Sequence, residues 1–153
     1  MNKLLMTVIA SLLLATAAQA DDAAQARTFF EGFAAKVNDY DQGVADLYSE
    51  EAKIITLRTD AEGGPHRVSH HALKWKRIMV LAMQLGKIRQ DKTDFTITDV
   101  IDEGDGTYKI KAERTSHLLC YTDRGYFQRV KRQVDGTFLI VQEYLETQEK
   151  SDC

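Results

Sequence analysis

At Gly86 the apolar pattern of this 153-residue chain changes its period. Before that point apolar residues recur at three and four positions, as on helices packed by one face; after it they alternate, as on strands. Phe95 to Ile101, Tyr108 to Cys120, Tyr126 to Val134 and Phe138 to Glu146 read as four long strands. EGDG, YTDRG and VDG join them, each with a glycine suited to a tight hairpin. The second half is therefore a meander.

The first half supplies helices to cover it. Ala26, Phe29, Phe30, Phe33, Val37 and Tyr40 form a helical stripe that ends near Asn38 and Asp39. Asp41 is placed to cap a second, short helix whose apolar face is Val44, Leu47 and Tyr48. Lys53 to Arg58, KIITLR, then reads as a strand, and TDAEGGPH, with two glycines and the only proline, as a loop. A third helix is expected from about His70 to Leu85, capped by Ser69 and ended by Gly86, with Leu73, Ile78, Leu81, Ala82 and Leu85 as its buried stripe.

Residues 4 to 18, LLMTVIASLLLATAA, follow Lys3 and precede AQA and two aspartates, the layout of a secretory signal peptide cleaved after Ala20. The run is short for a bilayer span, which needs about 20 residues. The expected product is a single domain, 21–153, periplasmic or secreted and without a membrane span. Loss of Lys3 leaves 19 Lys and Arg against 23 Asp and Glu, with the basic residues scattered, so the chain carries no electrostatic footprint for nucleic acid. In an oxidising compartment Cys120 and Cys153 are either bridged or two free thiols.

The element order, with DLYSEEAKIITLRTDAEGGP followed by a helix beginning HHALKWKR, resembles the nuclear transport factor 2-like superfamily, including its SnoaL-like branch. The resemblance covers nearly all of Ala23 to Glu146. It implies an α+β, cystatin-like cone: three N-terminal helices packed on a curved, mainly antiparallel sheet, with a pocket at the open end. Members include ketosteroid isomerase, limonene epoxide hydrolase, polyketide cyclases, scytalone dehydratase, transport factors and secretion-system subunits. Such a fold decides no chemistry by itself.

Candidate site residues are polar groups that interrupt apolar strand faces. Asp99 shares a phase with Phe95, Ile97 and Ile101, where desolvation would raise its pKa and suit it to proton transfer; alternatively the strand bulges before it and Val100 turns inward. Arg114 and Ser116 are in phase with Tyr108, Ile110, Ala112 and Leu118, and Glu143 with Leu139, Val141 and Leu145. A buried arginine needs an acid, and Asp99 or Glu143 can supply it. The trio Asp99, Arg114 and Glu143 is thus either catalytic, in the manner of the epoxide-hydrolase branch, or a structural ion pair in the sheet. Tyr40, Tyr48 and Tyr126 are candidate phenols, and Trp75 either lines the pocket mouth or packs on the sheet. Tyr48, Trp75, Ser116 and Tyr126 are the expected pocket lining.

Three of the four histidines, His66, His70 and His71, lie together in GGPHRVSHHALKWKR. Adjacent histidines diverge by about 100° on a helix, and no acid or cysteine cluster accompanies them, so they read as polar residues leading into the third helix rather than metal ligands. The chain has no phosphate-binding glycine loop or nucleophile elbow, and no cofactor is expected. Three functions fit: a binder of a small apolar molecule or protein partner without turnover; a cofactor-independent isomerase, dehydratase or epoxide hydrolase; or an accessory subunit of an envelope or secretion assembly. Strands 127–134 and 138–146 carry apolar residues on both faces, which implies a homodimer through the sheet.

Overall fold

A computed structural model describes residues 21–59 and 64–148. The expected leader, 1–20, and Cys153 lie outside the described residues. Helix α1 covers 21–38 and a 3-10 segment follows at Gln42–Leu47. Then come β1 (Tyr48–Thr59), β2 (Pro65–His71), α2 (Ala72–Arg89), β3 (Thr93–Gly104), β4 (Thr107–Ser116), β5 (Tyr121–Asp123), β6 (Phe127–Arg132) and β7 (Phe138–Gln148). The strands form one curved mixed sheet in the order β2-β1-β7-β6-β4-β3, with β5 paired to β4. β1 and β7 run parallel; the other pairs are antiparallel.

Ala26, Phe30 and Phe33 of α1 are buried as the sequence stripe requires, and the Phe30 and Phe33 rings meet Phe95 edge-on at 5.7 and 5.9 Å. At the end of α1, Asn38 fixes the start of β3, donating to the Thr93 carbonyl at 2.8 Å and accepting from its N–H at 2.9 Å. The EGDG turn carries left-handed φ at Gly104, Asp105 and Gly106, which is why it needs its glycines.

Several expectations are corrected. The second helix is only a 3-10 segment, because Asp41 accepts from Gly43 N–H at 2.8 Å and Tyr48 is already drawn into β1. So the sheet is covered by two α-helices rather than three. Between the expected loop and helix lies β2, which takes Pro65 and His66 from the loop and His70 and His71 from the helix. It is an exposed edge strand too polar to alternate visibly; residues 60–63 of the loop lie outside the described residues. The histidines sit on β2: His70 lies opposite Ile54 with its ring tilted against Trp75, centroids 5.4 Å apart, while His66 and His71 are exposed.

Helix α2 starts at Ala72, without a side-chain cap, and runs past Gly86 to a left-handed Gln90. Gly86 instead lets the Tyr40 ring approach, since a Cβ there would meet the ring at 3.3 Å. The buried face of α2 is Ala72, Trp75, Met79 and Met83, whereas Leu73, Leu81 and Leu85 of the expected stripe point to solvent. Apolar residues lie on nearly every side of this helix, so spacing alone does not choose the face; the large Trp75 and the adaptable methionines fill the concave sheet.

Candidate functional site

Two strand bulges set the polar geometry. In β3, Ile97 faces Ala112 and Asp99 faces Lys111, so Thr98 is an extra residue; in β7, Ile140 faces Val130 and Gln142 faces Arg129, so Val141 is extra. Downstream of each bulge the inward phase is reversed. Val100 therefore packs on the core and Asp99 turns to solvent, where Lys111 Nζ lies 3.9 Å away. Asp99 does not join Arg114, and the expected trio does not assemble. In β7 the bulge brings Glu143 and Leu145 onto the inner face that Phe138 and Ile140 occupy before it.

Glu143 is 3% exposed and accepts from three side chains. Tyr48 donates its hydroxyl to Oε2 at 2.6 Å, Tyr126 its hydroxyl to Oε1 at 2.6 Å, and Gln128 Nε2 approaches Oε1 at 3.2 Å. Gln128 also donates to the Tyr126 hydroxyl at 2.8 Å. Burial, then the neighbouring Glu143 carboxylate, push both phenols well above the usual tyrosine range, so they stay protonated and keep donating.

Arg114 has a different acid from the ones expected. Its Nη2 donates to the Glu146 carbonyl at 2.7 Å and lies 3.7 Å from Asp123 Oδ2, while its guanidinium sits 5.8 Å from the Tyr126 ring centre. Asp123 is fully buried and accepts from the N–H groups of Gly125 and Glu146 at 2.8 and 2.7 Å. Burial raises its pKa above the ordinary aspartate value. Ser116 is buried but hydrogen-bonds elsewhere, accepting from Leu119 N–H at 3.2 Å in the turn after β4, and it does not line the cavity beneath α2.

A cavity of about 210 Å³ opens between α1, α2 and the sheet. Phe33, Trp75, Met79, Met83, Phe95 and Leu145 make it mostly apolar; Arg114, Tyr126 and Glu143 give it one polar end. Tyr48 stands behind Glu143 rather than in the lining, and Trp75 combines the two expected roles, buried and on the cavity wall. The Trp75 indole N–H lies near enough to the Tyr48 hydroxyl to favour its ionised form, but makes no well-formed hydrogen bond. Arg114 Nε is likewise buried without a partner. So on the cavity wall Glu143 has donors while Trp75 and Arg114 Nε lack acceptors; behind it, Gln128 Oε1 is a buried acceptor without a donor.

No protein-family model and no curated protein sequence matches the chain. Solved structures do. A Novosphingobium aromaticivorans protein bearing a provisional scytalone dehydratase name aligns with a TM-score of 0.62 at 13% identity, covering 90% of this chain and 91% of its own. A nuclear transport factor 2-like protein of unknown function from Shewanella oneidensis aligns at 0.54 and 15%, covering 84% and 99%. A cystatin-like domain of unknown function from Nostoc punctiforme aligns at 0.57 and 14%, covering 87% and 79%. The chain has the nuclear transport factor 2-like fold. In this nuclear transport factor 2-like cone the helices and sheet enclose the cavity, and Glu143 with its phenols forms its polar end.

Two of the residues that build the polar end were not singled out from the sequence. Gln128 carried the same signal as Glu143, a polar residue in phase with Tyr126 and Val130 on an apolar strand face. Asp123 ends β5, inside the YTDRG segment that the sequence reads as a hairpin turn, and its acceptance from Gly125 N–H two residues on makes it read as a turn residue. Among the described residues no group of three or more His, Cys, Asp and Glu is placed to hold a metal, and no helix is long and apolar enough to cross a membrane. Cys120 is not a free thiol; the Cys153 end of the expected pair lies outside the described residues.

Proposed function

We propose that this chain is an exported protein that holds a small, largely apolar molecule in the cavity beneath α2, without turning it over, and that Cys120 pairs with Cys153 after export. The observation that carries the binding reading is the imbalance at the cavity's polar end. Glu143 accepts three hydrogen bonds, whereas the Trp75 and Arg114 Nε donors have none. An acceptor oxygen on a ligand would offer those donors a partner, and a neutral carbonyl suits them better than a carboxylate, because Asp123 already pairs with Arg114 and Glu143 shares the same cavity end. The cavity's 210 Å³ falls below the roughly 300–1,000 Å³ of drug-sized sites, so the ligand is small.

The enzymatic reading has one observation behind it: a carboxylate and a phenol meet at the end of an apolar cavity. A general base, however, needs a free lone pair directed at substrate. Tyr126 and Gln128 occupy Oε1 and Tyr48 takes one position on Oε2, which leaves Glu143 a single open lone pair and makes binding the better supported reading. Trp75, the chain's only tryptophan, reports directly on occupancy. Titration with a small cyclic ketone should change its fluorescence at concentrations where the hydrocarbon of the same shape does not. If neither compound is bound, and mass spectrometry finds no small molecule in protein taken from its own host, the binding reading fails. Turnover of a recovered molecule that Glu143→Gln abolishes would establish the enzyme instead.

A further inference from the structure

Helix α2 is apolar on two sides. Its inner side lines the cavity; its outer side exposes Leu73 by 65%, Leu81 by 59%, Leu85 by 51% and Ile88 by 78%. At 100° per residue these four fall within about a third of a turn of one another. Beside them an apolar groove of about 460 Å³ runs between the 3-10 segment and α2, continuing the surface through Val80 and Ala45. Isolated exposed leucines require no explanation, but four aligned along one helix with a groove beside them form a patch that seeks a cover.

The charge around the patch indicates which cover. Lys74 and Arg77 share the outer side, Lys76 borders it, and Lys87 and Arg89 stand in the last turn; α2 contains no acidic residue. Asp46 lies on the groove wall, and Glu50 lines a neighbouring hollow with Leu73 and Lys76. The chain as a whole has a formal charge of −3, so this concentration of cations is local. A second copy of the chain on a two-fold axis would set these cations against themselves. An apolar stripe bordered by lysine and arginine fits instead a surface that is apolar within and anionic outside. On such a surface the leucines enter the acyl boundary while the long basic side chains reach the headgroups.

We propose that the outer face of α2 docks the protein peripherally on anionic lipid bilayers, with the helix lying in the plane of the interface. Each basic residue at the surface strengthens such binding by several-fold, so two or three give at least about a tenfold preference for anionic over zwitterionic lipid.

The test is co-sedimentation of the whole protein with phosphatidylcholine vesicles, with and without phosphatidylglycerol. Residues 1–20 carry an apolar run of their own, so the parent is compared with variants that share its N-terminus. The parent should bind about tenfold better to the phosphatidylglycerol vesicles, and added salt should erase the preference. Leu81→Ser with Ile88→Ser should weaken binding to the anionic vesicles by about tenfold or more. Lys74→Gln with Arg77→Gln should remove most of the preference for anionic lipid. All four positions are exposed or at the surface of α2, and an unchanged thermal melt will confirm folding. Equal binding to both vesicle types, or binding unaffected by the serine pair, would overturn the proposal. So would a dimer in sedimentation that the serine pair converts to monomer, since a second copy would then own the face; an acidic protein captured on it in preference to vesicles would do the same.

Discussion

Asp99 and Glu143 are both carboxylates on long strands just past a bulge, and they end in opposite surroundings. Thr98 is the extra residue in β3 and Val141 in β7, and each reverses the inward phase after it. The first reversal expels Asp99, leaving its side chain 52% exposed opposite Lys111. The second keeps Gln142 and Tyr144 off the inner face and seats Glu143 there, among Tyr48, Tyr126 and Gln128. One operation on the backbone thus discards one acid and installs another. What separates them is whether donors are waiting, because a buried carboxylate persists only where its lost hydration is replaced.

The largest expected effect tests that difference directly. Glu143→Gln keeps the shape but sets an amide N–H₂ against donors, leaving at least one phenol without an acceptor in a buried site. Urea unfolding should show a loss of about 3 to 5 kcal/mol. A loss no larger than that of Asp99→Asn would break the comparison.

Next comes the bridge we propose between Cys120 and Cys153, which closes a loop of 33 residues and on the chain-entropy model stabilises by about 3 to 4 kcal/mol. Reduction should lower the parent and Glu143→Gln by the same amount, since the turn after β4 shares no partner with Glu143. Thiol counting on unfolded, unreduced, exported protein checks the premise: two reactive thiols would exclude the bridge.

How much of this was legible in the sequence follows from which patterns are local. The α1 stripe was readable because Ala26, Phe30 and Phe33 have one packing side. The meander was readable because its turns carry Gly104, Gly106 and Gly136 in conformations that call for glycine. Glu143 was visible as a polar residue on an apolar strand face. The β7 bulge was not: strict alternation grouped Glu143 with Leu139 and Val141, whereas packing groups it with Ile140 and Leu145. The face of α2 was hidden for another reason. Leu73 and Leu81 are as apolar as Met79 and Met83, and only the shape of the sheet chooses between them. Strand β2 was missed because, as an exposed edge, it has no buried face to impose alternation.

Smaller effects resolve the Glu143 network into its parts. Tyr48 supplies the only side-chain donor found on Oε2, whereas Oε1 has both Tyr126 and Gln128. Tyr48→Phe should therefore cost more than Tyr126→Phe, each within about 1 to 3 kcal/mol; the reverse order in denaturant melts would mean that Gln128 does not substitute for the lost phenol. The pH dependence has a definite sign. A phenol whose folded pKa lies above its unfolded value of about 10 contributes stability that is complete below pH 10 and declines as pH rises further. Tyr144, held at about 12, adds to the same decline. The fall above pH 10 should be shallower in Tyr48→Phe with Tyr126→Phe than in the parent. An equal slope would show that the two buried phenols do not set it.

The smallest effect lies at the discarded carboxylate. Asp99 and Lys111 are both about half exposed and 3.9 Å apart, at the limit of an ion pair. In water such a pair gains little Coulomb energy and loses side-chain entropy, so Asp99→Asn should change stability by no more than about 1 kcal/mol. Whatever effect appears at low ionic strength should shrink when the Debye length falls from about 30 Å at 0.01 M salt to about 3 Å at 1 M. Melts of Asp99→Asn and Glu143→Gln at both salt concentrations give the sharpest form of the comparison. The solvent-facing acid should lose its small effect in salt, while the buried acid should keep nearly all of its own, because counterions do not reach a carboxylate that is 3% exposed and already ringed by donors. A strong salt dependence at Glu143 would mean that water and ions reach that carboxylate through the cavity, and the shielding inferred from its burial and its three donors would have to be abandoned.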